Sequence, residues 1–177
     1  SLNLAPTAST TVAMALGDAL AVSILNARGF TEEDFARSHP GGTLGKRLLV
    51  KISDIMHSGD NLPIVYTGTK LADVIMEISA KRLGMTTVVT ASQPKQIIGI
   101  CTDGDLRRAF SNNVSLQQSY IEDIMTRDFK TIFADMLATE AVRVMQQHQI
   151  SALPVVDRHN HLVGALNLHD VFKAGVV

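Results

Sequence analysis

The chain has 177 residues, 46% of them apolar and 19% charged, with a formal net charge of −1. That length suits one domain or two small ones with a sizeable core, and no run of Lys and Arg exceeds two residues, which argues against a nucleic-acid-binding face. The single cysteine, Cys101, excludes an internal disulfide and a zinc cluster of thiolates, and it points to a reducing, intracellular compartment.

The first block runs from Ser1 to about Leu49 and is repeated nowhere else. Ser1 is not an initiator Met, so a fragment or processed product is expected. Lys and Arg are absent from the first 27 residues, which removes the basic start of a signal peptide. Thr10 to Arg28 predicts a helix stopped by Gly29 just past its end. Its apolar residues (Val12, Met14, Leu16, Leu20, Val22, Ile24, Leu25) cover nearly every face, and such a helix belongs inside something larger. The block is too small to supply that surrounding, so its packing partners are expected upstream. The stretch Val12 to Leu25, interrupted by Asp18, is expected to be too short to span a bilayer. Thr31 with Asp34 makes a capping box that opens a short helix ending near Ser38. The tight loop Ser38-His39-Pro40-Gly41-Gly42 follows.

Two further blocks, Lys51 to Phe110 and Tyr120 to Ala174, repeat one another. Ile52-Ser53-Asp54-Ile55-Met56 matches Ile121-Glu122-Asp123-Ile124-Met125. Short strands follow, Leu62 to Tyr66 and Lys130 to Phe133. Then Leu71, Val74, Ile75 and Ile78, and in the second copy Ala138, Ala141, Val142 and Met145, recur at i, i+3, i+4, i+7, the period of a helix with one buried stripe. Thr86 to Val89 and Leu153 to Val156 are β-branched strands, closed by the polar turns Ser92 to Lys95 and Asp157 to His161. Asn112 to Gln118 is a polar linker. Each copy reads β-α-β-β-α, and neither buries much alone, so the pair is expected to pack as one body.

Both copies end on one phrase. Gly99, Thr102 and Asp105 recur as Gly164, Asn167 and Asp170. Thr102 with Asp105 is a helix cap on the plain reading. A second reading adds a ligand, because a helix N-terminus attracts phosphate and a carboxylate can accept two ribose hydroxyls. Asn167 is the poorer phosphate partner and His169 replaces Gly104, so the first copy is expected to bind more tightly. Arg107 and Arg108 follow one turn later, and one of them is expected to reach an anionic ligand. His148, His159, His161 and His169 have no tight metal-ligand spacing. Met56, Met76, Met125, Met136 and Met145 read as core filler. With no Trp, a base would lie on aliphatic surfaces such as Ile64, Met85 or Leu153.

The two units resemble tandem CBS domains, the regulatory modules that hold adenine nucleotides or related ligands in the cleft between copies. The resemblance rests on the repeat, on Pro154-Val155-Val156 and on both Gly-x-x-(Thr/Asn)-x-x-Asp endings. Thr102-Asp103-Gly104-Asp105-Leu106-Arg107-Arg108 is similar to the CBS pair of the isomerases that interconvert ribulose 5-phosphate and arabinose 5-phosphate. Ala5-Pro6-Thr7-Ala8-Ser9-Thr10-Thr11, Gly17-Asp18-Ala19-Leu20-Ala21 and Ser38-His39-Pro40-Gly41-Gly42-Thr43-Leu44-Gly45 resemble the end of that family's sugar isomerase (SIS) domain.

The resemblance implies an α/β (α+β) fold: residues 1–49 as an SIS remnant, 50–112 as the first CBS domain and 119–177 as the second. It implies that His39 belongs to the parent active site, where an imidazole suits ring opening or proton transfer. The family's catalytic Lys and carboxylates have no position here, so the chain alone is expected not to isomerise sugars. Thr102, Asp103, Asp105, Arg107, Met85, Thr86, Leu153, Pro154, Asn167 and Asp170 are the implied nucleotide-binding residues. No cofactor or metal is implied for catalysis; AMP, ATP or CMP-Kdo is implied in the cleft. A cytoplasmic homo-oligomer is expected, a dimer of CBS pairs or a tetramer, acting on a sugar phosphate in Kdo and lipopolysaccharide or capsule synthesis, without nucleic acid or membrane. The alternatives are a purely structural dimerisation module, a free-standing enzyme using His39 and, last, a DNA-binding regulator.

Overall fold

The computed structural model describes residues 6–38, 42, 45, 48–91 and 96–176. Helix α1 (Thr7–Ala27) has Pro6 at its N-cap, so the Ser/Thr-rich stretch Thr7 to Thr11 forms its first turns ahead of the apolar run. Its hydroxyls bond back within the helix, Thr11 to the Thr7 carbonyl and Ser23 to the Ala19 carbonyl. Gly29, with φ +63°, ends it, and the Phe30 N–H reaches back to the Leu25 carbonyl, as an αL helix stop requires. No residue of α1 is buried. The helix continues past both ends of the apolar stretch Val12 to Leu25 to 21 residues, and its most apolar 18-residue window has a mean hydropathy of 1.6, so that by length and composition alone it is long and apolar enough to cross a membrane. Thr31 and Asp34 form the expected reciprocal cap on α2 (Glu32–Ser38). His39 lies outside the described residues, as do Pro40, Gly41, Thr43, Leu44 and the expected turn residues 92–95.

Each repeat folds as β-α-β-β-α. The first comprises β1 (Ile64–Tyr66), α4 (Leu71–Lys81), β2 (Met85–Val89), β3 (Ile97–Thr102) and α5 (Asp103–Ser111); a short helix α3 (Ile52–Ile55) precedes it. The second comprises β4 (Ile132–Phe133), α6 (Ala138–His148), β5 (Ala152–Val156), β6 (Leu162–Asn167) and α7 (Leu168–Lys173), preceded by a 3₁₀ turn at Ile121–Asp123. The sheets are ordered β1-β2-β3 and β4-β5-β6, with the first pair parallel and the second antiparallel in each. Even the irregularities coincide. A register shift falls at Val88/Val89 and again at Val155/Val156, and α4 and α6 both end on a non-glycine residue at positive φ, Arg82 and Gln149.

The central strands β2 and β5 are buried almost throughout, which is why they read as continuous apolar or β-branched runs rather than as alternation. Of the helical stripes, Leu71, Val74, Ile78, Ala138, Ala141, Val142 and Met145 are buried and Ile75 is half-buried, whereas Met76, expected as core filler, is exposed. It sits on the water side of α4, so it is not core filler.

The segments that open the two repeats are exchanged. Ile52 is buried in the second repeat's core, with Ile132, Leu153 and Leu166. Ile121 and Met125 are buried in the first repeat's core, with Leu71, Val88 and Cys101. His57 pairs with Ala165 of β6, and Thr126 with Ile100 of β3. This exchange gives Gly99 and Gly164 their role. A Cβ on Gly99 would stand 2.7 Å from the Met125 sulfur, and one on Gly164 would collide with Met56. Each glycine seats a methionine from the other repeat, so the repeats interlock as well as abut.

Candidate functional site

The repeated phrase builds two equivalent corners. In the first, Thr102 caps α5: its Oγ1 accepts from the Asp105 N–H at 3.3 Å, and Asp105 Oδ2 accepts from the Thr102 N–H at 2.8 Å and from its hydroxyl at 2.7 Å. The other oxygen, Oδ1, accepts from Arg108 Nη2 at 2.6 Å and from the Thr126 hydroxyl at 3.1 Å. Asp105 is only 5% exposed. Burial pushes its carboxyl up, but bonds from Thr102, Arg108 and Thr126 outweigh this and hold it below the usual carboxylate range. The role that the spacing suggests for Asp105, accepting two ribose hydroxyls, therefore meets a carboxylate already saturated by internal donors. The N–H of Asp103 is also taken, by the Gly84 carbonyl at 3.1 Å.

In the second corner Asn167 replaces Thr102. Asp170 Oδ2 accepts from the Asn167 N–H at 3.1 Å, and Asn167 Oδ1 accepts from the Asp170 N–H at 2.9 Å. His57 stands where Thr126 stands in the first corner, its Nε2 3.0 Å from Asp170 Oδ1.

A cavity of about 550 Å³ opens at the first corner. Thr102, Asp103, Gly104, Asp105 and Arg108 line it from the first repeat, Thr126, Asp128, Phe129 and Lys130 from the segment that opens the second, and His148 to Ala152 from the turn between α6 and β5. Three kinds of surface meet here. Arg108, Lys130 and His148 supply positive or protonatable groups, Asp103 and Asp128 supply carboxylates, and Ile100, Phe129, Ile150 and Ala152 supply apolar wall. A Cβ on Gly84 would stand 3.4 Å from Asp103 Oδ2, so that carboxylate packs against Gly84, and both residues line the cavity. A molecule with one flat apolar face, hydroxyls and an anionic group matches this lining.

Among the residues expected to bind, Thr102, Asp103 and Asp105 come together at the cavity. Arg108 reaches it, whereas Arg107 is not among its lining residues. Met85, Thr86, Leu153 and Pro154 are buried in the central strands of the two sheets and are not among the residues that line this cavity. Asn167 and Asp170 lie at the other corner. Phe129, Lys130 and Ser151 line the cavity without having been singled out by motif or spacing. Phe129 supplies an aromatic wall where only aliphatic ones are expected. Its signal is an aromatic residue shortly after the repeated Ile-x-Asp-Ile-Met phrase, without a counterpart in the first copy.

Cys101 is fully buried. Burial first, then the nearby Asp105 and Asp103 charges, push its thiol up to about 12, which removes it as a nucleophile. His159 and His161 lie in the β5–β6 turn, where Asp157 is 3.1 Å from His161 Nδ1. Among the described residues no group of three or more His, Cys, Asp or Glu is placed to hold a metal.

The CBS domain family model matches residues 52–112 and 121–176. Over 176 residues, 99% of the chain, the sequence is 53% identical to arabinose 5-phosphate isomerase KdsD of Pseudomonas aeruginosa. The chain covers 53% of that protein and spans about half the length of the curated relatives it matches. Among solved structures, the fold matches the CBS domain pair of protein MJ0100 in complex with 5′-methylthioadenosine and S-adenosyl-L-methionine. The TM-score is 0.62 at 22% identity, over 70% of this chain and 94% of that one. The CBS domain protein PAE2072 from Pyrobaculum aerophilum, complexed with AMP, matches at TM-score 0.62 and 20% identity, over 69% of this chain and 90% of that one. Two interlocked β-α-β-β-α repeats, each matched by the same family model, show that the chain belongs to the CBS domain family and carries two CBS domains in tandem.

Proposed function

We propose that this chain is the ligand-sensing CBS pair of an arabinose 5-phosphate isomerase, and that the cavity at Thr102–Arg108 takes a nucleotide. The observation that carries the reading is the cavity itself, which joins a helix cap, the cations Arg108 and Lys130 and the Phe129 wall in one concave site. The similarity to KdsD over nearly the whole chain supports the parent activity, and the AMP complex of PAE2072 supports the ligand class.

In this reading residues 1–49 are the end of a sugar isomerase (SIS) domain. The bare faces of α1 pack against the rest of that domain in the parent, and His39 serves its active site. The parent is a cytoplasmic enzyme that converts ribulose 5-phosphate to arabinose 5-phosphate for Kdo and lipopolysaccharide or capsule synthesis. The chain alone lacks the remaining catalytic groups and gives no turnover with arabinose 5-phosphate; measurable turnover overturns that part of the reading. Titration calorimetry with AMP, ATP and CMP-Kdo tests the cavity. Binding that is lost with Lys130→Ala and Asp103→Asn supports it, and no heat from any of the three removes the sensing role.

A second reading, a structural dimerisation module, is favoured by a different observation. An apolar groove between α6 and α7 is lined by Val142, Met145, Leu168 and Phe172, and Phe172 and Phe110 are 54% and 73% exposed. Sedimentation of Phe172→Glu tests it: a dimer that survives the substitution removes the groove as the contact.

A further inference from the structure

The cavity and the buried carboxylate beside it share one cation. Arg108 Nη2 is 2.6 Å from Asp105 Oδ1, yet the Arg108 side chain is 69% exposed while that of Asp105 is 6% exposed. The guanidinium is folded back along α5 toward the first turn: a Cβ on Gly104 would stand 3.5 Å from Arg108 Nη1. It therefore covers the mouth of the corner where Asp105 would meet a ligand, and it lines the cavity at the same time.

We propose that Arg108 is an exchangeable plug that makes the site select phosphorylated nucleosides over nucleosides. This inference rests on the cavity being the nucleotide site. Asp105 Oδ1 has two partners, Arg108 and the Thr126 hydroxyl. The Thr126 bond belongs to the seam between repeats and stays. The Arg108 bond joins two charged groups and is the stronger kind, so a neutral hydroxyl displaces it at a net loss. An anion in the cavity changes the balance, because the guanidinium then leaves one oxyanion for another with its charge still paired. The same movement uncovers Asp105 Oδ1, which becomes the acceptor for a ribose hydroxyl. The saturated carboxylate and the unoccupied ribose acceptor are thus two states of one residue, and the phosphate of the ligand drives the change. The second corner lacks this device, since Asp170 is held there by His57 rather than by an arginine of its own helix.

The test compares each nucleotide that gives heat, among AMP, ATP and CMP-Kdo, with its nucleoside, adenosine or cytidine, on the full chain and on Arg108→Ala. A plain phosphate contact predicts that the substitution weakens the nucleotide and leaves the nucleoside unchanged. The exchange predicts opposite movements. Nucleotide affinity falls about tenfold, the scale of one charge-assisted contact, while nucleoside affinity rises, because Asp105 is no longer plugged. The preference between them then collapses. Arg108→Gln, which keeps a neutral donor toward Asp105, moves each affinity in the same direction as the alanine variant but by less, and it serves if the alanine variant does not fold. Nucleoside affinity that is unchanged or lower in both variants overturns the exchange while leaving nucleotide binding intact. No heat from any nucleotide with the wild-type chain overturns the cavity reading and this inference together.

Discussion

His57 Nε2 lies 3.0 Å from Asp170 Oδ1 across 113 residues of sequence. The contact closes the second repeat's helix cap with a side chain from the segment that opens the first. Its counterpart, Thr126 on Asp105 at 3.1 Å, closes the first repeat's cap from the segment that opens the second. Each corner is therefore completed only when the repeats are interlocked.

That relation predicts where the molecule loosens when a seam contact is removed. His57→Ala leaves a carboxylate with 12% side-chain exposure without one of its partners, at a cost of about 1–3 kcal/mol. The loss is expected at α7: hydrogen exchange of the Val171 to Lys173 amides accelerates while α5 is unaffected. Thr126→Val is expected to do the reverse, loosening α5 and sparing α7. Equal acceleration of both helices by either substitution would show that the corners are not separately held.

The glycines make a steric prediction. Gly99→Ala brings a methyl group to 2.7 Å from the Met125 sulfur and 3.2 Å from the Thr126 carbonyl oxygen. The sulfur lies on a flexible side chain, whereas the carbonyl is held by the Ile100 N–H at 2.9 Å. Overpacking of this kind costs about 1–3 kcal/mol, read as a lower urea midpoint. Met125→Ala in the same chain removes the nearer obstacle. The double variant is expected to lose less than the sum of the two single losses, because the cavity of one accommodates the methyl of the other. Strict additivity would remove the interlocking role assigned to Met125.

The distinction between local and cross-repeat signals explains what is legible in the sequence. The stripes of α4 and α6, the Thr102–Asp105 and Asn167–Asp170 caps and the β-α-β-β-α order of each repeat depend on residues close in the chain, and period or spacing reveals them. The exchange of Ile52 and Ile121 between cores leaves no local mark, since a buried isoleucine reads the same whichever sheet covers it. For this reason Gly99 and Gly164 read as part of a ligand phrase, whereas their missing Cβ atoms admit Met125 and Met56. The spacing brings Asp105 to the cavity but gives no sign of its saturation, because one of its donors, Thr126, lies 21 residues away. Met85 and Leu153 read as ligand-facing, yet each lies on the central strand of its sheet and is fully buried. Phe129 escapes notice because it falls in a connecting segment with no periodicity of its own.

The Asp105 carboxyl also gives the fold a defined response to acid. Its folded value is held below the usual range by donors that outweigh burial, while an unfolded Asp titrates at about 3.9. For a group whose folded value is depressed, the unfolded chain binds the proton first as pH falls, so stability drops in that direction. The contribution is fully present above the unfolded value and is lost as pH descends through the lower, folded one. Asp105→Asn keeps the size of the side chain but removes this titration. At neutral pH the variant is expected to be less stable by about 1–3 kcal/mol, the scale of a charged hydrogen-bonded group left poorly matched. Below about pH 4 the wild-type chain should lose stability faster than the variant, so the two urea midpoints converge. A gap that stays constant down to about pH 2, well below the unfolded value, would mean that Asp105 is not the carboxylate whose ionisation holds the first corner closed.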